Sequence, residues 1–529
     1  MTYRVLATDK LAPEGVEVFR GSPEIEFDSK PGMPPAELAA VIGTYDALVM
    51  RSGTRVTAET LREPGRLRVI GRAGIGVDNI DVATATKKGI VVMNTPGGNN
   101  VTTAEHTITL MLALARWIPQ ADASLHAGKW ERNKFEGSEV CNKTLGVVGL
   151  GNIGTIVAER AQGLRMRIIA FDPFITAEAA ARLKVELVTL DELYARADFI
   201  TIHTPLTPET RGLVNRAALA KMKKGVRLVN CARGGIVDEQ DLAAAITSGH
   251  VAGAALDVFV EEPPPADHPL LRLPQVIATP HLGASTSEAQ VNVAVAIAEQ
   301  VTKFLLRGEV ESAVNMPSVS REMLGLLRPH LSLGEKLGSL LAQLSPEAVT
   351  ELSVEYAGQV AELDWRPVTN AILRGLLSPF LDAAVNYVNA PAIARERGIK
   401  VREARASQSS AFVNSIKVSV VRASATHEVE GALFGSNILR LVRINDFYME
   451  AVPEGYVLML NNRDVPGVVG RVGTLLGARG INIAGLELGR ERIGGRAISF
   501  FHVDDTVPES VLAELRQSPD IISAQLLKL

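Results

Sequence analysis

"GVVGLGNIG", residues 146–154, decides how the rest of the chain is read. Gly149, Gly151 and Gly154 follow an apolar run and open a helical stretch, "NIGTIVAERAQGL". A G-x-G-x-x-G spacing between a strand and a helix meets three demands of a dinucleotide. It gives a tight turn, lets the pyrophosphate approach backbone N–H groups, and sets the positive end of a helix beneath it. Further on, at about the expected 20 residues, "MRIIAFDPF" ends a second strand with Asp172. A carboxylate there holds both ribose hydroxyls of NAD and repels the 2′-phosphate of NADP, so NAD is the expected cofactor. The competing reading is a structural βαβ unit in which Asp172 only caps a helix.

Outward from this loop, "RIIAFD", "DFITIHTP", "VRLVNCA" and "GAALDVF" alternate with helical stretches as far as "PQVIATPHLG". That alternation predicts a Rossmann-type doubly wound parallel sheet over residues 99–282. Upstream, "YRVLATD", "DALVMRSG", "LRVIGRAG" and "GIVVMNTPG" predict a second parallel sheet, a flavodoxin-like outer substrate domain over residues 1–98. "NNVTTAEHTITLMLALARWIPQ" joins the two as a long helix, with Thr102 and Glu105 fitting a capping box and Pro119 ending the pattern. The helix "EAQVNVAVAIAEQVTKFLLRGE" is expected to cross back, so that residues 283–318 complete the outer domain.

"ESAVNMPSVS" reads as a linker, and residues 319–452 as a mixed α/β intervening domain without a catalytic motif. Its "LGEKLGSLLAQL" is a helix, and "SIKVSVVRA" and "GALFGSNILRLVRI" are strands. Arg440 and Arg443 mark either a second anion site or an ordinary solvated basic face. Residues 453–529 run strand, helix, strand, strand, helix, strand, the βαββαβ order of ferredoxin-like modules.

The bulk numbers exclude several classes. At 529 residues the chain exceeds one hydrophobic core. A net charge of −4 gives no general reason to bind nucleic acid or membrane. Two cysteines, Cys141 and Cys231, do not make a disulfide framework. The start reads as a strand rather than a signal peptide, and no apolar run reaches the length of about 18 residues needed for a span. The expected location is the cytoplasm, and no metal site is expected.

Three further segments end strands of the nucleotide-binding unit: "LVNCARGGIVDE" with Arg233, "ALDVFVEEPPP" with Glu262 and "IATPHLGAST" with His281. Ligands of open α/β sheets bind beyond the carboxyl ends of the strands, so these side chains are placed to converge. Oxidising a 2-hydroxy acid needs a base for the hydroxyl proton, which neutral His281 supplies. Glu262 would favour the imidazolium that forms. Arg233 would grip the carboxylate with its planar fork. Each also has a plain structural reading: a surface ion-pair partner, a helix-start carboxylate and a core histidine.

"VVGLGNIG", "NCARGGIVDE", "DVFVEEP" and "TPHLGAST" closely resemble the D-2-hydroxyacid dehydrogenases over roughly residues 5–315. The resemblance implies Arg233, Glu262 and His281 as catalytic residues. It also implies a cofactor cleft lined by Gly149, Gly151, Asn152, Ile153, Gly154, Asp172, Thr204, Cys231, Ala232, Arg233, Asp257, His281, Gly283 and Ala284. Arg51 in "VMRSGT", Arg72 in "GRAGIGVDNID" and Asn99 in "NTPGGNN", with "GKWER", are similar to the branch that oxidises 3-phospho-D-glycerate. That likeness implies substrate contacts at Arg51, Ser52, Arg72 and Asn99, with Lys129 and Arg132 reaching a neighbouring subunit.

The tail "VLMLNNRDVPGVVGRVGTLLGARGINIAGLELGR" resembles an ACT domain, a module that binds amino acids between two chains. It implies Asn462, Asp464 and Asn482 as contacts for L-serine acting as a feedback inhibitor, and a homo-oligomer, a tetramer by resemblance. Some relatives carry histidine where this chain has Asn462. Two rivals stand beside this reading: a reductase for another 2-keto acid such as hydroxypyruvate or glyoxylate, and a non-enzymatic NAD-sensing scaffold. The amino-acid-binding tail weighs against both.

Overall fold

The computed structural model describes residues 2–317, 321–345, 347–381, 385–406, 412, 414–435 and 437–529. Among them, 22 strands form four sheets.

The outer sheet has five parallel strands: β1 (Tyr3–Ala7), β2 (Ile25–Ser29), β3 (Ala47–Met50), β4 (Val69–Arg72) and β5 (Val91–Met93). Their order, β2-β1-β3-β4-β5, is the flavodoxin-like one. Alternation along each strand feeds two cores. Val5, Ala7 and Val49 face one side, and Leu6, Leu48 and Met50 the other. The first side is closed by the returning helix, Ser287–Arg307, which buries Val293, Ile297, Val301 and Phe304 there. Small residues let it lie close. A Cβ on Gly71 would come within 2.8 Å of Ile297 and Val301, and one on Gly15 within 2.7 Å of Ala294.

The nucleotide-binding sheet has seven parallel strands: β6 (Thr144–Val148), β7 (Arg167–Phe171), β8 (Glu186–Leu187), β9 (Phe199–Ile202), β10 (Val226–Asn230), β11 (Val251–Leu256) and β12 (Val276–Ala278). The order β12-β11-β10-β9-β6-β7-β8 is doubly wound, and its direction reverses between β6 and β9. Central strands such as β9, "FITI", are buried throughout, as expected when helices cover both faces.

The connecting helix, Asn100–Arg116, runs from the outer unit onto this sheet, burying Ala104, Leu110, Met111 and Leu114. It begins two residues before the expected capping box. Asn99 holds the cap position without a side-chain bond, Thr102 faces the Thr286 hydroxyl, and Glu105 pairs with Arg160 at 3.1 Å. Trp117, in the left-handed region at φ 56°, turns the chain into the short helix Ile118–His126.

The third sheet is mixed: β13 (Glu351–Ala357), β14 (Lys400–Arg405), β15 (Ser415–Val421), β16 (Thr426–Phe434), β17 (Ile438–Ile444) and β18 (Phe447–Ala451), in the order β14-β13-β15-β16-β17-β18. The stretch 431–444, expected as one strand, is the hairpin between β16 and β17. Gly435, at φ 64°, makes the reversal. Residues 318–320 of the expected linker lie outside the described residues. The helices Arg321–Leu344 and Arg366–Leu377 cover this sheet.

The last sheet, β19 (Tyr456–Arg463), β20 (Ile483–Arg490), β21 (Arg496–Val503) and β22 (Ile521–Lys528), is antiparallel between neighbours, in the ferredoxin-like order β20-β21-β19-β22. One face carries Leu458, Leu460 and Phe501 under helices Val468–Ala478 and Glu509–Arg516. The other carries Val457, Met459, Ile498, Phe500 and Leu527 into the core of the third sheet. Among the described residues, no helix is long and apolar enough to cross a membrane.

Candidate active site

The carboxyl ends of both parallel sheets carry the expected residues. Gly149 leaves β6 at φ 93°, where a Cβ would sit 2.7 Å from the His203 carbonyl oxygen. A Cβ on Gly154 would lie 2.0 Å from the Gly149 carbonyl oxygen, so the helix of Asn152 and Ile153 packs against the turn only because that residue is glycine. Above Gly151 there is open space. Asp172, one residue past β7, accepts from Leu150 N at 2.7 Å and from Phe174 N at 2.8 Å, which fixes its carboxylate beside the glycine turn. Thr204 leaves β9 on the other side of the point where strand order reverses. Its buried hydroxyl has no protein partner. An open glycine cradle, a fixed carboxylate and an unpartnered hydroxyl at the switch point fit a dinucleotide.

Past β10, Cys231 is buried, which pushes its thiol up to about 12 and keeps it protonated. Asn230 accepts from Ala232 N and donates to the Arg233 carbonyl, shaping the next turn. A Cβ on Gly234 would fall 1.9 Å from the Phe259 carbonyl oxygen, so the loops of Arg233 and Glu262 touch. Arg233 Nε donates to Asp78 of the outer unit at 2.8 Å, a contact across the cleft. Past β12, His281 Nδ1 lies 2.7 Å from Glu262 Oε2, and Phe259 N donates to Oε1 at 3.1 Å. Burial pushes the Glu262 carboxyl up, but the bonds from His281 and Phe259 outweigh it and hold it below the usual range. His281 Nε2 is left unused by this pair.

Asp257, also expected in the cofactor cleft, is buried and accepts from Leu282 N and Gly283 N at 2.7 and 2.8 Å. Ala284 lies in the same loop, its carbonyl accepting from Gln290.

The outer unit supplies the opposite wall. Asp9 accepts from Arg51 N and Thr54 N, so the turn containing Ser52 is tied down. Arg72 ends β4 with its guanidinium over Gly74, and its buried Nε lacks a protein partner. Burial and the positive charge of Arg233, with Arg51 adding to them, lower Arg72 to about 10. Asn99, at the cap of the connecting helix, has a buried Oδ1 without a partner. Arg51, Arg72, Arg233, Asn99, Glu262 and His281 thus border one cleft. Lys129 and Arg132 do not join them. Both lie in the exposed loop beyond Ile118–His126, and no hydrogen bond or ion pair among the described residues ties their side chains to the cleft.

The expected serine contacts are also separated within one chain. Asp464 follows β19 at the Arg490 end of the β20 edge strand, accepting from Gly494 N. Asn482 precedes β20 at its other end, donating to Asp504 at 2.7 Å. Eight residues of strand put these ends roughly 25 Å apart. Asn462 needs correction. Strand alternation places it on the side of Leu458 and Leu460, and its buried amide is used by Ser499 and the Arg463 carbonyl. Arg440 pairs with Glu450 and Arg443 with Glu428, so neither is a free cation.

Asp78, His106 and Thr279, which no sequence motif singles out, hold Arg233 and Asp257 from other segments of the chain. Residues 108–283 match the family profile described as D-isomer specific 2-hydroxyacid dehydrogenase, NAD binding domain. Residues 326–445 match the D-3-phosphoglycerate dehydrogenase intervening domain, and 456–520 the ACT domain. Fold and cleft therefore define an NAD-dependent dehydrogenase of 2-hydroxy acids. D-3-phosphoglycerate dehydrogenase of Bacillus subtilis is 44% identical over 527 residues, covering 100% of both chains. Its namesake in Synechocystis is 43% identical, covering 99% of this chain and 95% of its own. The chain belongs to the D-3-phosphoglycerate dehydrogenase family. A solved protein of Thermus thermophilus, TT0316, is 35% identical with a TM-score of 0.55 and covers 59% of this chain and 99% of its own.

Proposed function

We propose that this chain oxidises 3-phospho-D-glycerate to 3-phosphohydroxypyruvate, reducing NAD⁺ to NADH, as the first step of L-serine biosynthesis in the cytoplasm, under feedback inhibition by L-serine. The observation that carries the reading is the His281–Glu262 pair at 2.7 Å, in a cleft where Arg72 and Arg51 of the outer unit lie within electrostatic reach of Arg233. NAD⁺, when bound, supplies the hydride acceptor. His281 Nε2 takes the proton of the C2 hydroxyl, and Glu262 steadies the imidazolium through Nδ1. Arg233 leaves Asp78 to hold the carboxylate and polarise the C2 oxygen. Arg72 and Arg51, with Asn99 and the Ser52 turn, take the phosphate, whose charge suits several guanidinium groups. Asp172 takes the adenine-side ribose. Lys129 and Arg132 serve the neighbouring subunit's cleft in a tetramer.

For serine, two copies pairing antiparallel along β20 would bring Asp464 of each chain to Asn482 of the other. Asp464 then takes the ammonium. The test is an NADH assay comparing 3-phosphoglycerate with unphosphorylated glycerate, with and without L-serine. The phosphorylated acid is expected to be turned over far more efficiently. Equal efficiency would defeat the substrate assignment.

A further inference from the structure

We propose that His106, on the connecting helix, is a positioning residue for the reaction: it fixes the Asp257 carboxylate that holds the loop of His281 in place. The inference rests on the reading of His281 as the acid–base group.

His281 has φ 54°, in the left-handed region that residues other than glycine rarely occupy, so its surroundings must hold it there. Its own N–H donates to the carbonyls of Asp257 and Thr279, both at 3.0 Å. The next two N–H groups, of Leu282 and Gly283, donate one to each oxygen of the Asp257 carboxylate. Thr279 Oγ1 donates to the same carboxylate at 2.6 Å. The Asp257 side chain has 0% exposure, so water cannot complete its shell. The remaining donor is His106, whose Nε2 lies 3.1 Å from Oδ1 and 3.3 Å from Thr279 Oγ1.

His106 arrives from a helix that begins beside Asn99, on the outer unit's wall of the cleft. One turn earlier on that helix, Thr103 Oγ1 donates to the Gly283 carbonyl at 2.8 Å. The helix that starts at the substrate wall therefore grips the base's loop twice. Without His106, Oδ1 keeps two donors but loses the one that ties it to this helix. The carboxylate and Thr279 can then tilt together. Misplacing a reacting group by about 1 Å costs about a hundredfold in rate, so partial slackening predicts a smaller loss, about tenfold.

The test uses the full-length oligomer and measures kcat, KM for 3-phosphoglycerate, NAD⁺ affinity by protein fluorescence, and the thermal midpoint. His106→Phe should lower kcat about tenfold with NAD⁺ affinity within about threefold. His106→Gln, which restores an N–H at similar reach, should recover most of kcat, whereas the shorter His106→Asn should not. On an Asp257→Ala background, which leaves His106 no acceptor at this position, His106→Phe should cost little further, since both act through one carboxylate. An unchanged kcat with a lowered thermal midpoint would make His106 merely structural and overturn the proposal. So would equal values for the Gln and Asn variants, a comparison that stands even where the Phe variant does not fold. Full activity of His281→Ala would instead sink the underlying assignment. Loss of activity there, with His106 indifferent, would sink only this inference.

Discussion

At the scale of single residues, His281→Ala should reduce turnover by about a hundredfold or more while leaving NAD⁺ affinity nearly unchanged. Rapid-mixing assays and coenzyme titration separate the two, and intact turnover would remove the base. If Asp172 holds the ribose as proposed, Asp172→Ala should raise the NADP/NAD ratio of kcat/KM, because a carboxylate there opposes a 2′-phosphate. Burial lowers His330, so the unfolded chain binds the proton more readily than the fold does. Its contribution is present above the unfolded histidine value near 6.5 and is lost as pH falls through it. Denaturant unfolding of His330→Met should therefore change less than that of the parent between about pH 7.5 and 5.5. The residues legible in sequence were those carried by motifs, in which residue type and spacing state the chemistry. Asp78 lies 155 positions from Arg233, and His106 lies 151 from Asp257. No local pattern encodes such a pairing. Asn462 misled because its motif position was visible while the strand face that turns it inward was not.

At the scale of elements, most of the fold was written in periodicity and turn chemistry. Apolar runs ending in glycine or aspartate gave both parallel sheets, and the last 75 or so residues gave a strand–helix order with one compact solution. The 431–444 hairpin was hidden because both arms are apolar and only the short run Gly435, Ser436 and Asn437 separates them. Equally hidden was how helices Arg321–Leu344 and Arg366–Leu377 meet. A Cβ on Gly338 would lie 2.1 Å from the Ile372 carbonyl oxygen, and one on Gly375 would lie 2.0 Å from that of Glu335. The backbones touch at this glycine pair, beside the ion pair of Arg374 and Glu335 at 2.9 Å. Gly375→Ala would improve helix propensity in an isolated peptide, by about 1 kcal/mol. Here the methyl meets backbone, which cannot rotate away, so overpacking of about 1–3 kcal/mol should win. Differential scanning calorimetry should show a lower midpoint for the variant, and an unchanged or higher one would mean the helices separate freely.

At the scale of the whole molecule, the intervening and ACT modules are not strung on a tether. Phe500 and Met459 of the ACT sheet lie in one core with Leu337 and Leu341 of the intervening helix. Asn386 of that unit donates to the Gly89 carbonyl of the outer domain at 2.9 Å, and Glu396 pairs with Lys87 at 2.7 Å. A change at the ACT edge thus has a packed route to the strand that leads into the Asn99 loop. Within one chain the proposed serine contacts do not meet, since Asp464 and Asn482 stand at opposite ends of β20. If each site takes Asp464 from one copy and Asn482 from its partner, each single variant, Asp464→Ala or Asn482→Ala, should lose serine inhibition and keep basal turnover. Co-expressed as a hybrid pair, the two variants put both defects into one site and leave the other intact. Inhibition should then return with about half the parental number of binding sites by calorimetry. A site built within one chain predicts the opposite, because every site of the hybrid would carry one defect and serine would remain without effect.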